Sequence, residues 1–186
     1  MYDKDIRKML RATTLQPAIN DPDTLLVEEM GIYHGTVFID MATLQNNCWT
    51  GYEIKSSHDS LKRLAMQSMM YGYIFDRMWL VCDAQHTHKA SHIIPEWWGI
   101  MHATRKGLKI DREACRNPRP LPRHVADMMW RDEARQAAID LGVDKGVRSK
   151  CKGTILTRLV NTQSIDTLRR VATQAMKARE RWQVAS

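Results

Sequence analysis

The sequence contains no apolar run approaching the roughly 20 residues that a membrane-spanning helix requires. Its first ten residues, MYDKDIRKML, are charged and lack the apolar centre of a signal peptide, so a cytoplasmic protein with no membrane partner is expected. Cysteine is sparse. Cys48, Cys82, Cys115 and Cys151 stand far apart with no CxxC pair, which argues against a disulfide framework and offers no zinc motif. There is no internal repeat and no low-complexity segment. The chain is not depleted in apolar residues either: 44% apolar and 26% charged residues describe a globular protein rather than a disordered one. At 186 residues it fits one domain, or one domain with an appendage.

What is present is unevenly distributed. Residues 1–141 hold 18 Lys/Arg and 18 Asp/Glu, whereas residues 142–186 hold 10 and 3, so the whole net charge of +7 lies in the last quarter. A basic segment on a neutral body suits a phosphate-bearing partner, or simply a solvated helical face. Lys145, Arg148, Lys150, Lys152 and Arg158 are its candidate contacts. Three prolines in "NPRPLPR" (117–123) suggest an extended linker. The expected organisation is a core over 1–116, that linker, and a basic helical region over 124–186 packed on the core.

Hydrophobic spacing predicts helices over 3–15 and 24–31, then a hairpin with strands 36–44 and 48–56 around the turn at 45–47. A helix over 59–75, capped by Ser57 or Asp59, leads to a buried strand at 77–84. A short helix at 88–93, strands near 98–104 and 106–110, and helices over 124–141, 145–161 and 164–182 complete the pattern. A hairpin followed by a helical crossover implies an α/β fold with a mixed sheet of four to five strands flanked by helices.

The stretch "GYEIKSS" (51–57) carries an acid and a base in a strand. Residues i and i+2 point to one side, so Glu53 and Lys55 share a face while Ile54 faces the other way. A turn centred between residues 46 and 47 places Asp40 opposite Glu53. Two adjacent carboxylates repel unless a cation compensates them, and a hard divalent ion, Mg²⁺ or Mn²⁺, suits oxygen ligands. Such an ion with a neighbouring lysine suits phosphodiester hydrolysis. The plain alternative is a surface ion pair beside an unrelated acid.

Asp40 with Glu53-Ile54-Lys55 resembles the signature of the PD-(D/E)XK nuclease superfamily. Glu29 in "VEEMG" matches the glutamate often found before the first signature strand. Gln67 and Tyr71 match the Q-x-x-x-Y of the exonuclease-like branch. "GYEIKSSHDSLKRLAMQSMMYGYIFDRMWLV", "PEWWGI" and "MMWRDEA" are similar to a small bacterial and phage group within that superfamily, some of whose members are DNA-repair-like. The resemblance implies a restriction-endonuclease-like core and Mg²⁺- or Mn²⁺-dependent cleavage of DNA in a bacterial or phage-infected cell, with no nucleotide cofactor. It implies that Asp40, Glu53, the main-chain carbonyl of Ile54, and Glu29 directly or through water hold the metal. Lys55 then positions the water, and Gln67 and Tyr71 orient Lys55 or touch the DNA backbone. One departure stands out: many relatives carry a basic residue two positions before the aspartate, where this chain has Phe38. Rival expectations are a DNA-binding accessory module with little activity and a phage regulatory factor that binds a protein. Self-association is left open.

Overall fold

The computed structural model describes residues 1–179. Its centre is a six-stranded mixed sheet in the order β1 (Leu25–Ile32), β2 (Val37–Leu44), β3 (Trp49–Lys55), β4 (Arg77–Asp83), β5 (Gly99–Thr104) and β6 (Gly107–Arg112). The pairs β3–β4 and β4–β5 are parallel, and the other three are antiparallel. Helix α3 (Leu64–Gly72) makes the first parallel crossover and α4 (Ala84–Ser91) the second.

The segment expected as a helix over 24–31 is strand β1, which brings the sheet to six strands. Leu25, Leu26, Val27 and Met30 fit a helical stripe as well as a strand. Pairing from Leu25↔Leu44 to Ile32↔Val37 decides for the strand. Tertiary pairing outweighs local preference in so short a segment. Helix α3 also starts later than expected, because Asp59 accepts from the Ser56 amide and hydroxyl and closes a turn ahead of it.

The sheet's two faces are unequally covered. On one, Met30, Ile39, Leu44, Trp49 and Leu80 join Tyr71 and Phe75 around α3. The same apolar cluster continues into α5 (Pro122–Asp127), α6 (Arg131–Asp140), α7 (Lys152–Thr162) and α8 (Ile165–Lys177). On the other face, Ile6 and Leu10 of α1 (Asp3–Ala12), with Leu15, cover Met41, Tyr52, Ile54 and Val81. A short α2 (Gln16–Ile19) follows α1.

The C-terminal boundaries differ from expectation. Residues 124–141 form two helices, because the chain breaks between Asp127 and Arg131, and residues 145–150 are turns before α7. Helix α8 ends at Lys177, and residues 180–182 of the helix expected there lie outside the described residues. The proline-rich stretch is fastened rather than free. The Asn117 amide bonds to the Asp76 carbonyl at 2.7 Å and that of Leu121 to Tyr73 at 2.8 Å, and Pro122 already opens α5.

Candidate functional site

The β2–β3 hairpin has the register that its turn implied, with Met41 opposite Tyr52 and Leu44 opposite Trp49. Pairing stops there. β3 runs on through Glu53, Ile54 and Lys55 against β4, while β2 diverges at Asp40. On the far side of β2 the ladder is interrupted at the same level. Glu29 takes a left-handed backbone (φ 48°), and the Glu29/Asp40 pair is missing between Glu28↔Met41 and Met30↔Ile39. A glutamate in that conformation is uncommon and marks a distorted strand.

A side chain closes the gap so created. The Ile54 amide, which has no β2 carbonyl to meet, donates to Asp40 Oδ2 at 2.6 Å. In a strand the carbonyl of a residue points the same way as its N–H, so the Ile54 carbonyl also turns toward β2. Glu53 is 1% exposed and Lys55 6% exposed, and the Lys55 ammonium donates to Glu53 Oε1. Asp40, Glu29, Glu53, Ile54, Lys55 and Gln67 therefore line one cleft of about 280 Å³.

Helix α3 holds Glu53 from above. The Tyr71 hydroxyl lies 2.9 Å from Glu53 Oε2 and 2.7 Å from the Phe38 carbonyl, and Gln67 Nε2 donates to that hydroxyl at 3.2 Å. Tyr71 has one proton and two acceptors, so Gln67 must present its NH₂ group to it. Gln67 Oε1 is left buried without a hydrogen-bond partner. Burial, together with the charge on Glu53, pushes the Tyr71 phenol far above its ordinary range. Tyr71 is fully buried and meets Glu53 rather than the surface, where the expected contact with the DNA backbone would have to be made. Gln67 likewise acts on Tyr71.

Sequence reasoning missed Arg7. Its guanidinium donates to Asp3 Oδ2 at 2.7 Å, Asp40 Oδ1 at 3.1 Å and the Asp40 carbonyl at 2.9 Å, and pairs with Glu29. Burial alone would lower its pKa, but bonding to Asp3 and the charges of Asp40 and Glu29 hold it above the ordinary value. The only local signal was the i, i+4 pair with Asp3. Asp40 itself is pushed up to about 7, first by desolvation and then by the charge on Glu53.

The residues fit a hard divalent cation in their chemistry. The cleft offers two carboxylates and a free-facing carbonyl, all oxygen donors, and Mg²⁺ commonly takes only one or two carboxylates and keeps several waters. Five carboxylates (Asp3, Glu29, Asp40, Glu53, Asp59) line it against three cations (Arg7, Lys55, Arg63), so it carries a deficit of positive charge. Among the described residues no group of three or more His, Cys, Asp and Glu side chains is arranged to hold a metal. Any ion here would rely on the main-chain carbonyl and water.

The basic C-terminal residues lie elsewhere, and none lines the cleft. Lys152 bonds to Asp127, Arg148 to Asp144, and Arg158 to the carbonyls of Val143 and Lys145. Lys145 and Lys150 stand on an exposed turn.

Fold and cleft together define a mixed α/β protein whose splayed hairpin gathers acids and a lysine. A family model described as Bacteriophage P4 protein cII matches residues 7–184, and the chain belongs to that phage protein family. No curated protein matches it. Among solved structures it is similar to SPO1766, a protein of unknown function from Silicibacter pomeroyi, at 17% identity over 79% of this chain and 97% of that one, with a TM-score of 0.46. A likeness at that level carries no argument about the site, and neither comparison names a nuclease.

Proposed function

We propose that the cleft hydrolyses phosphodiester bonds in DNA with a divalent metal ion, on a PD-(D/E)XK-like core. The observation that carries this reading is the Asp40 carboxylate spanning the open end of the hairpin to Ile54, beside Glu53 and Lys55. Asp40, Glu53 and the Ile54 carbonyl would hold the metal, with Glu29 at the rim. Bound there, the ion would supply Lewis acidity toward the phosphate and a water acidic enough to attack near neutral pH. Tyr71, itself held by Gln67, fixes the Glu53 carboxylate. Lys55 keeps an ammonium on the cleft floor, where it can orient the attacking water and face the charge that develops on phosphate.

One observation favours a second reading, a DNA-binding module with little activity. All four oxygens of Asp40 and Glu53 already meet protein donors: Arg7, the Ile54 amide, Lys55 and Tyr71. Cleavage of linear, circular single-stranded and branched DNA in Mg²⁺ or Mn²⁺ separates the two. Hydrolysis that disappears with EDTA, with Glu53→Gln and with Lys55→Ala supports the nuclease. Salt-sensitive DNA binding without cleavage supports the module.

A further inference from the structure

We propose that Phe38 is a base-stacking platform and that the cleft takes an unpaired nucleotide, so that its substrate is single-stranded DNA. This rests on the hydrolytic reading of the same cleft. Phe38 lines the cleft with Asp40 and is 52% exposed, a costly position for one of only two phenylalanines in the chain. The ring is nonetheless held in place. A Cβ on Gly31 would lie 3.2 Å from its Cε1, and one on Gly35 3.7 Å from its Cζ, so two glycines leave the space that backs it. Its own carbonyl lies 2.7 Å from the buried Tyr71 hydroxyl. A half-exposed aromatic ring packed against backbone at a cleft is what a nucleobase needs for stacking.

The surroundings fit the same occupant. Met66 lines the cleft from α3, and Met69 follows one turn later; they are 47% and 55% exposed. Arg63 also lines the cleft, is exposed and makes no ion pair among the described residues, which leaves its guanidinium for a phosphate. A space of about 280 Å³ lies just under the usual range of small-molecule pockets, roughly 300–1,000 Å³, and has room for one nucleotide beside Phe38. A duplex would first have to extrude a base.

The test is fluorescence anisotropy with a dye-labelled single strand and the same sequence as a duplex, in Ca²⁺, with gels confirming intact DNA. The wild type should prefer the single strand. Phe38→Ala should weaken single-strand binding about tenfold, in line with loss of one stacked base, with duplex binding unchanged, and Phe38→Trp should restore it. Equal binding by wild type and Phe38→Ala would overturn the proposal. So would an equal loss for both DNAs, failure of the tryptophan to rescue, or no DNA binding at all. Selective single-strand binding without metal-dependent cleavage would leave the platform standing and remove the hydrolytic reading. Cleavage by a protein indifferent to Phe38→Ala would do the reverse.

Discussion

The two ends of strand β3 bury the same chemistry to different ends. At its start, the Trp49 amide donates to the Asp76 carboxylate at 2.9 Å and the Asp76 amide donates to the Trp49 carbonyl at 2.9 Å. Asp76 is paired with Arg169 of α8, both 1% exposed. Asn117 completes that end, its amide nitrogen bonded to the Gly72 and Phe75 carbonyls and its oxygen to the Arg119 amide. At its finish stand Glu53, Lys55 and Gln67, buried as well, with the half-buried Asp40 beside them. Each end holds a buried side-chain atom without a hydrogen-bond partner, Arg169 Nε at the start and Gln67 Oε1 at the finish, but at the finish the acids outnumber the cations and the cluster opens on a cleft. Burial of charge alone therefore does not mark a site. An unbalanced charge count with access to solvent does.

The sealed end should be the one that breaks the fold. Asp76→Ala leaves a buried guanidinium that cannot lose its proton with only the exposed Asp166 as an ionic partner, and should cost about 3 kcal/mol in denaturant unfolding. Arg169→Met should cost less, about 2 kcal/mol, because the stranded partner is a carboxyl that can neutralise itself. Burial already raises the Asp76 pKa above its ordinary value despite Arg169. A carboxyl with a raised folded pKa adds stability below its unfolded pKa and loses it as pH rises through the folded one. The Arg169→Met defect should accordingly shrink toward pH 4 and grow toward pH 8. A pH-independent defect would show that Asp76 stays ionised.

How much of this was legible differs along the chain. The hairpin register followed from the turn residues alone, because strand alternation is strict over a few residues, but the expected Asp40–Glu53 pair did not: the ladder ends at Met41↔Tyr52, and Asp40 reaches the Ile54 amide instead. β1 was not legible: its apolar residues satisfy both periods, and two consecutive glutamates favour a helix by propensity. Arg7 was invisible because nothing in DKDIRKML distinguishes a solvated arginine from one folded over β2. Asp76, Asn117 and Arg169 lie tens of residues apart, and their convergence is purely tertiary. The basic tail was read correctly as charge, yet several of its side chains are tied to neighbouring acids and carbonyls.

At the open end, the sharper question is whether Arg7 is part of the frame or a stand-in cation. If it is a stand-in, Arg7→Gln should tighten Mn²⁺ binding about tenfold by calorimetry, a change of about 1.4 kcal/mol. Stability should change little, since Arg7 is an ion pair at a cleft edge rather than a sealed one. Weaker Mn²⁺ binding would make Arg7 a support for the acids instead.

The smallest effect is the most discriminating. Asn117 and Gln67 are both buried amides, but only Asn117 has its oxygen bonded as well as its nitrogen. Asn117→Leu leaves two carbonyls and an amide unsatisfied and should cost about 2 kcal/mol or more. Gln67→Met removes an acceptor that already lacks a partner while giving up one bond to Tyr71, so the two changes nearly cancel and stability should move by less than about 1 kcal/mol. On the hydrolytic reading proposed for the cleft, its cleavage rate should nevertheless fall, because Tyr71 and Glu53 lose their brace. A Gln67→Met protein that melts like Asn117→Leu would make Gln67 a structural amide, and the contrast between the two ends of β3 would then rest on their acids alone.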